Sequence, residues 1–180
     1  MIVHIGANKL ELVVGDITHQ TVDAIVNAAN QMLAGGGGVD GAIHRAGGET
    51  IMQDTNERYP EGCPTGSAVS SVAGDLSAKF VFHAVGPVWR GGQQGEAAQL
   101  ASAYRSCLKL AVDNNCRSVA FPAISTGAYG YPLDLAANTA IKAVMDFMKW
   151  HKQPELVRFV LFDEGFYGAF ARSLETQVPS

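Results

Sequence analysis

The stretch GGGGVDGAIHRAGG, residues 35–48, places four consecutive glycines directly before the pattern of an amphipathic helix. Apolar residues recur between Val39 and Ala46 at the spacing i, i+3, i+4 and i+7, which predicts a helix with Asp40 in its first turn. Glycine loses conformational freedom on folding and packs no side chain, but it lets a ligand approach the main chain closely. A glycine run that opens a helix therefore predicts a site where backbone amides hold an anion such as a phosphate.

The segments around this stretch alternate between strand and helix patterns. Two short apolar runs at the N-terminus predict a hairpin, and AIVNA at residues 24–28 predicts a buried strand. Further strands are predicted over residues 67–73, 79–85, 118–124 and 156–162, and further helices over residues 96–111, 135–148 and 166–174. This alternation predicts an α/β three-layer domain with a mainly parallel or mixed sheet, whose ligand lies at the carboxyl ends of the strands.

Length and composition are those of one globular domain. A chain of 180 residues and 19.0 kDa buries roughly 70% of its surface on folding. Hydrophobic residues make up 47% and charged residues 17%, which is far from the composition of disordered chains. A polar stretch with Pro60 and Gly62 breaks the pattern, but no repeat or linker divides the chain, so residues 1–180 are predicted to form a single domain.

Charge and cysteine content exclude several classes of protein. The net charge is -4 and the thirteen Lys and Arg residues are scattered, which argues against direct nucleic-acid binding. Cys63, Cys107 and Cys116 are an odd number without a CxxC pair, so we expect reduced, buried thiols rather than disulfides or a zinc site. Without a run of ~20 apolar residues or a secretory leader pattern, a cytoplasmic protein with no membrane partner is expected.

The glycine run formally contains GxGxxG at Gly36, Gly38 and Gly41. In a dinucleotide-binding unit these glycines follow the strand directly, and an acid for the ribose lies ~20 residues later. Here NAANQMLAG intervenes, and Arg58 stands at about the position of that acid. The sequence therefore disfavours a Rossmann unit, and no lysine follows the glycines to form a P-loop.

A second glycine loop, STGAYGY at residues 125–131, follows another predicted strand. Either loop alone is explained as an ordinary turn. Two such loops at the ends of strands that precede helices instead favour a pair of backbone cradles that grip a diphosphate from both sides.

The polar residues near these loops each admit a structural interpretation as well. Asp40 in the first helical turn stabilises the helix dipole by ~0.3 to 1 kcal/mol without any further role. Asn27 and Asn30 are either turn residues or partners of sugar hydroxyls, and Asp16 in GDIT either ends a strand or accepts from an exocyclic amine. His44, four residues after Asp40, is explained as a solvated partner of Asp40 or a packing residue, not as a base.

Six segments together resemble the macrodomain family of the MacroD type, and most closely its bacterial O-acetyl-ADP-ribose deacetylases. They are GDIT at 15–18, NAAN at 27–30, GGGGVDGAIHRAGG at 35–48, CPTGSAV at 63–69, HAVGPVWRGG at 83–92 and ISTGAYGYP at 124–132. The resemblance implies a three-layer α/β/α sandwich around a mixed sheet, with ADP-ribose as its ligand. It also implies a hydrolase that removes the acyl group of O-acetyl-ADP-ribose and mono-ADP-ribose from acidic side chains of proteins.

The resemblance also implies roles for individual residues. Asp16 would accept from the adenine amine and Ile17 would contact the same base through its backbone. Asn30 would bind the distal ribose, Asp40 would orient or deprotonate the attacking water, shared with the ligand's diphosphate, and Tyr129 would shape the ribose pocket. Backbone amides for the diphosphate would come from Gly37, Gly38, Val39, Ser125, Thr126, Gly127 and Ala128. An aromatic residue often stacks on the adenine in this family, and Phe162, Phe166 and Tyr167 are the three alternatives here. The resemblance implies no metal and no other cofactor.

Two other functions remain compatible with this resemblance. One is a reader module that binds ADP-ribose without chemistry; ADP-ribosylated proteins are among the partners that the resemblance implies. The other is a regulator that acts by protein contact, since the bacterial subgroup is also described as restraining ribonuclease III. Nothing in the composition or spacing of this chain indicates an interface for ribonuclease III.

Overall fold

A computed structural model describes residues 1–179 of the chain, which form one seven-stranded sheet with helices on both faces. The strands are β1 (Ile2–Ile5), β2 (Asn8–Val14), β3 (Ala24–Ala28), β4 (Ala68–Val72), β5 (Phe80–Ala84), β6 (Ser118–Phe121) and β7 (Leu156–Leu161). The helices are α1 (Gly38–Gly47), α2 (Glu49–Arg58), α3 (Glu96–Asp113), α4 (Leu133–Trp150) and α5 (Glu164–Gln177), with a short 3-10 helix over Ile17–His19.

The sheet is mixed, with the strand order β1-β2-β7-β6-β3-β5-β4. Its five central strands, from β2 to β5, run parallel to one another, while β1 and β4 pair antiparallel at the two edges. The predicted N-terminal hairpin is confirmed as β1 and β2. Because parallel strands end on the same side, all five central strands deliver their following loops to one edge of the sheet.

The sheet lies between two helical layers, which confirms the α/β/α sandwich. Successive residues of the central strands alternate between the two faces, as the period of two requires. Val26, Phe82, Phe121 and Phe159 pack in the larger cluster with α3, α4 and α5. Ile25, Val81, Ala120 and Val160 pack in the smaller cluster, which holds Ile43 of α1 and Ile51 of α2.

Helix α2 is absent from the sequence-based prediction, because ETIMQDTNER buries only Ile51 and Thr55 and so shows no apolar stripe. The usable signals are electrostatic: Glu49 lies in the first turn and Arg58 in the last, as the helix dipole favours. Asp54 and Arg58 also pair across one turn at 3.3 Å.

The three cysteines are buried and unpaired, as predicted. Burial raises the pKa of the Cys63 and Cys116 thiols to about 11 and raises that of Cys107 as well, so all three are protonated at neutral pH. Between residues 1 and 179, none of the helices combines the length and the apolar composition needed to cross a bilayer.

We expect Tyr104→Phe to lower the free energy of unfolding by about 1 to 3 kcal/mol. The buried Tyr104 hydroxyl donates to the Pro122 carbonyl at 3.1 Å and accepts from the Ile124 amide at 3.0 Å, so it fixes the chain where it leaves β6. Urea denaturation measures the change. Tyr167→Phe is the matched control, because Tyr167 bonds only the exposed N-terminus and its loss should stay within about 0.5 kcal/mol. Equal stability of the two variants would contradict this role of Tyr104.

Candidate active site

The candidate site is the carboxyl edge of the five parallel strands. In sheet order this edge carries Asp16 after β2, Phe162 after β7, residues 125–131 after β6, residues 29–37 after β3 and Gly86 after β5. Four strand spacings separate β2 from β5, a distance of about 19 Å. Segments that lie far apart in the sequence therefore form one continuous row.

The first glycine loop is shaped by its own backbone and by Asn30. Gly35 and Gly38 have φ values of 78° and 57°, which favour glycine, and α1 begins at Gly38 with Gly37 as its N-cap. The Asn30 amide donates to the Gly35 carbonyl at 2.9 Å, and its oxygen accepts from Ala34 N at 3.0 Å. Because Gly37 and Gly38 are exposed, the first amides of α1 face outward, as an anion cradle requires.

The second glycine loop presents backbone rather than side chains. The Thr126 hydroxyl donates back to the Ala123 carbonyl at 2.7 Å, and Gly127 and Ala128 are exposed. Ser125 has a φ of 70°, uncommon for a residue with a side chain, and its buried hydroxyl has no hydrogen-bond partner within residues 1–179. Strain and an unpaired buried polar atom in one residue are typical of a binding loop.

Asp40 is held from within the protein. The residue is 6% exposed, and its Oδ1 accepts from Asn27 Nδ2 at 2.8 Å. His44 Nε2 lies 3.2 Å from the same oxygen, so His44 is a half-buried neighbour and not a solvated one. Oδ2 faces the glycine loop, 3.6 Å from where a β-carbon on Gly36 would stand. One carboxylate oxygen is thus fixed while the other is turned towards the cradle.

The amide of Asn27 is oriented in turn by His83. Asn27 and His83 are neighbours in the register of β3 and β5, on the face that packs against α1 and α2. The Ser71 hydroxyl donates to the Val72 carbonyl at 2.9 Å and lies 2.8 Å from His83 Nε2. Since that hydroxyl proton is already used, Nε2 carries the imidazole proton, and Nδ1 accepts from Asn27 Nδ2 at 3.1 Å.

The His83 imidazole is neutral at physiological pH. Burial lowers the pKa of His83 to about 4 and the nearby His44 adds to the effect, while the carboxylates of Asp40 and Asp54 act in the opposite direction. A neutral ring keeps its Nδ1 lone pair available to Asn27. Both protons of the Asn27 amide are therefore directed, one to His83 and one to Asp40, and the buried Asn27 Oδ1 is left without a partner among the described residues.

At the β2 end of the edge, Asp16 caps the 3-10 helix. Its Oδ1 accepts from the Thr18 hydroxyl at 2.6 Å and from the Thr18 amide at 2.8 Å, and these bonds lower the pKa of Asp16. The Ile17 side chain is buried in the smaller cluster, so Ile17 can contact a ligand only through its backbone.

Three aromatic residues near the same end differ sharply in exposure. Phe162 is 82% exposed and follows β7, beside the strand that leads to Asp16. Phe166 packs against the larger core cluster, and the Tyr167 hydroxyl accepts from the N-terminal amine at 3.3 Å. Of these three rings, that of Phe162 is therefore the one that core packing leaves exposed.

At the β5 end, residues 86–95 form a wall-loop fixed by Glu96. Its buried carboxylate accepts from the amides of Arg90, Gly92 and Gln94 at 2.9, 2.8 and 2.6 Å. Burial alone would raise the pKa of Glu96, but these amides outweigh it and lower the pKa to about 2. The amide of Trp89 also donates to the Tyr129 carbonyl at 2.8 Å, which ties the wall-loop to the second glycine loop.

The structure places the residues predicted from the sequence along one edge of the sheet, and it adds three residues that local sequence patterns do not indicate. The sequence predicts Asn27 as a turn residue or as a partner of sugar hydroxyls, but in the structure its side-chain amide donates to Asp40. His83, Glu96 and Gly86 were not assigned a role. The available signal for Asn27 and His83 is a polar residue at an inward position of an alternating strand pattern. Among residues 1–179, no three His, Cys, Asp or Glu side chains are grouped closely enough to hold a metal ion.

We expect Gly86→Ala to lower the free energy of unfolding by about 1 to 3 kcal/mol, because the space beside Gly86 is too small for a side chain. A β-carbon there would overlap the Ser125 hydroxyl and stand 2.5 Å from Ile124 Cγ2. Thermal or urea unfolding measures the loss. Gly127→Ala is the control, because a β-carbon at Gly127 would meet no heavy atom within 4 Å. Its free energy of unfolding should change by about 0.5 kcal/mol or less. If Gly86→Ala were as stable as the wild type, Gly86 and the second glycine loop would not be in close contact.

We expect the free energy of unfolding to fall by roughly 3 kcal/mol as the pH is lowered from 6.5 to 4, because of His83. The unfolded chain binds a proton at His83 below pH 6.5, whereas the folded protein excludes it until about pH 4. Denaturant titrations at several pH values should show a flatter dependence for His83→Gln over this window. His4→Gln is the control and should keep the wild-type slope, because His4 is exposed and forms no ion pair or side-chain hydrogen bond within residues 1–179. An unchanged slope in His83→Gln would contradict a neutral His83. The Glu96 contribution is separate, because it is lost only as the pH falls from about 4.5 towards 2.

Comparison with known proteins agrees with this geometry. The Macro domain model matches residues 26–140. An O-acetyl-ADP-ribose deacetylase of Salmonella gallinarum is 55% identical over 172 residues, which cover 94% of this chain and 96% of that protein. An O-acetyl-ADP-ribose deacetylase of Escherichia coli is 53% identical over 171 residues, which cover 94% and 97%.

Solved structures show the same fold. The Oceanobacillus iheyensis macrodomain with ADP superimposes with a TM-score of 0.92 at 40% identity, over 98% of this chain and 95% of that one. The Trypanosoma brucei macrodomain in complex with ADP-ribose gives a TM-score of 0.82 at 38% identity, over 91% of this chain and 68% of that one. The family model, the identity along nearly the whole chain and the shared fold show that this protein belongs to the macrodomain family.

Proposed function

We propose that this protein is a hydrolase that converts O-acetyl-ADP-ribose and water into ADP-ribose and acetate. The observation that carries the proposal is the position of Asp40. Its Oδ1 is fixed by Asn27, and its Oδ2 is turned to the first glycine loop. A general base must reach the proton that it removes, and a pre-oriented carboxylate beside a phosphate cradle meets that requirement. The deacetylases from Salmonella gallinarum and Escherichia coli support the choice of substrate.

In the proposed complex, the ligand lies along the carboxyl edge of the sheet. Adenine lies at the β2 end, where Asp16 accepts from its amine, the Ile17 backbone contacts it and Phe162 stacks on it. The diphosphate lies between the two glycine loops, held by the amides of residues 37–39 and 125–128. The distal ribose then reaches Asn30 and Tyr129. The bound ADP and ADP-ribose of the two related solved structures support this class of ligand.

In the proposed reaction, Asp40 Oδ2 takes a proton from a water molecule whose oxygen attacks the acyl carbon. The bond between that carbon and the ribose oxygen breaks, the ribose oxygen takes back the proton held by Asp40 as the alcohol leaves, and the acetic acid formed loses its proton to solvent as acetate. Asn27 keeps Oδ1 from rotating, so Oδ2 stays directed at the water. A carboxylate is sufficient for this chemistry, and we propose that the protein needs no metal.

The same attack on an ester between ADP-ribose and an acidic protein side chain would release the unmodified protein. We therefore propose mono-ADP-ribosyl esters of proteins as a second class of substrate. The arrangement that would serve it is the same, because both substrates present an acyl ester on the distal ribose.

We expect Asp40→Asn and Asp40→Ala to reduce the turnover of O-acetyl-ADP-ribose by about 100-fold or more, the usual contribution of a positioned base. The affinity for ADP-ribose, measured by calorimetry, should change by only about threefold, because backbone amides hold the diphosphate. Asn30→Ala should weaken both binding and turnover, since the Asn30 amide also braces the first glycine loop. Dialysis against a chelator should leave the wild-type rate unchanged.

Asp146→Asn is the matched control, because Asp146 is an exposed acid near the far end of α4. Its turnover should equal that of the wild type. Unchanged turnover in Asp40→Asn would remove Asp40 from the mechanism. A wild-type protein that binds ADP-ribose and returns O-acetyl-ADP-ribose intact would be a reader and would overturn the proposed hydrolase.

A further inference from the structure

A cavity of about 700 Å³ lies at the β5 end of the carboxyl edge. Its lining includes Asn30 and Tyr129, which belong to the proposed ribose site, and also Thr65, Arg90, Gln94 and Gln99. Neither residues 37–39 nor residues 125–128 belong to its lining. The cavity therefore meets the proposed site only at the distal ribose and extends beyond it, away from the diphosphate.

The order of strands fixes what this cavity can receive. Along the sheet, the adenine residues follow β2 and β7, the diphosphate loops follow β6 and β3, and the cavity begins at Gly86 after β5. A ligand laid along this row ends with the ribose at Asn30 and Tyr129, so the part of the cavity beyond these two residues is open only to the group esterified to that ribose. An acetyl group has three heavy atoms, whereas pockets of about 300 to 1,000 Å³ hold whole drug-sized molecules.

The charge of the lining favours an acidic occupant. The Glu96 carboxylate is already bonded to three amides of the wall-loop and is 1% exposed, so it presents little negative charge to the cavity. Arg90 is exposed, and its guanidinium forms no ion pair within residues 1–179. A guanidinium binds carboxylates through two donors in a fixed geometry.

The lining also suits a peptide backbone. The side-chain amides of Gln94 and Gln99 make no hydrogen bond to another described residue, so each keeps a donor and an acceptor for a peptide group. The wall that carries Arg90 is rigid, since Glu96 holds its amides and the Trp89 ring packs on Tyr131 with the centroids 4.7 Å apart. A preformed wall reduces the entropy lost on binding.

We propose that this cavity binds the polypeptide that flanks an ADP-ribosylated acidic side chain, with Arg90 paired to an acidic residue of that polypeptide. This inference rests on the proposed function and assigns the cavity as its site for protein substrates. Gln94 and Gln99 bond the backbone of the same segment. O-acetyl-ADP-ribose leaves the cavity largely unfilled, so residues of the cavity distinguish the two classes of substrate.

The test compares two ligands on the full chain. One is O-acetyl-ADP-ribose, and the other is a peptide with one glutamate esterified to ADP-ribose and acidic residues on both sides. We expect Arg90→Ala and Gln99→Ala each to lower kcat/KM for the peptide by about 5- to 10-fold, as the loss of one charged or polar contact predicts. Turnover of O-acetyl-ADP-ribose should not change. Replacing the flanking acidic residues of the peptide by lysine should reproduce the loss in the wild-type protein and remove the effect of Arg90→Ala.

Arg105→Ala is the matched control, because Arg105 is exposed on α3 and does not line the cavity. Both substrates should behave as in the wild type. Equal losses on both substrates, or no loss on the peptide in either variant, would overturn the inference. A wild-type protein that turns over O-acetyl-ADP-ribose but not the peptide would overturn it as well, while the proposed deacetylase would stand.

A binding measurement separates the inference from the chemistry. With Asp40→Asn protein, calorimetry should show that the modified peptide binds about 10-fold more tightly than ADP-ribose, and that adding Arg90→Ala removes the difference. This result would support the cavity as a peptide site even if the proposed hydrolysis failed. Equal affinities for the peptide and for ADP-ribose would overturn the inference even if hydrolysis were confirmed.

Discussion

The common direction of the five central strands is the constraint on which this molecule depends. The five strands end on the same side of the sheet, so the segments that follow them lie at one edge. Residues 16, 30, 86, 125 and 162 become neighbours for this reason alone. The antiparallel strands β1 and β4 lie at the margins of the sheet, and the segment that leads into β4, with Thr65, reaches the same edge beside β5.

The second feature is a polar network buried between the sheet and α1. Buried polar groups are costly unless they are paired, and here His83, Asn27 and Asp40 pair in sequence from one strand to the next and then to the helix. The Asn27 amide nitrogen can only donate, to Asp40 and to His83 Nδ1, and the Ser71 hydroxyl donates to a backbone carbonyl, which leaves its oxygen to accept from His83 Nε2. A charged imidazole would break this order, so the burial that keeps His83 neutral also keeps Asn27 aimed at Asp40.

Along the carboxyl edge, the carboxylates of Glu96 and Asp16 have a different role from the guanidinium of Arg90. Backbone amides lower the pKa of Glu96, and the hydroxyl and the amide of Thr18 lower the pKa of Asp16; both carboxylates shape a loop at an end of the carboxyl edge. Arg90 lies on the loop that Glu96 holds, and its own side chain has no partner within the described chain. The buried Glu96 carboxylate thus holds the wall-loop through local hydrogen bonds, and the exposed Arg90 guanidinium remains available to a ligand.

The sequence by itself determined the alternation of strands and helices, the two glycine loops, the start of α1 and the position of Asp40 in its first turn. These features depend on local patterns: a period of two in strands, a period near 3.6 in helices, and glycine where φ is positive. The resemblance to macrodomains added the family, which the comparisons confirmed. Helix α2 was missed because its stability comes from two buried residues and from its termini rather than from an apolar stripe.

Only the tertiary structure decided what lies beneath and beyond Asp40. Asn27 and His83 are 56 positions apart and meet because β3 and β5 are adjacent, a pairing that no local pattern encodes. The unpaired hydroxyl of Ser125, the role of Glu96 and the cavity beside Arg90 likewise depend on contacts between distant segments. Local sequence fixes which chemical groups a chain carries, but the packing of the sheet fixes which of them are buried, which are oriented and which remain free.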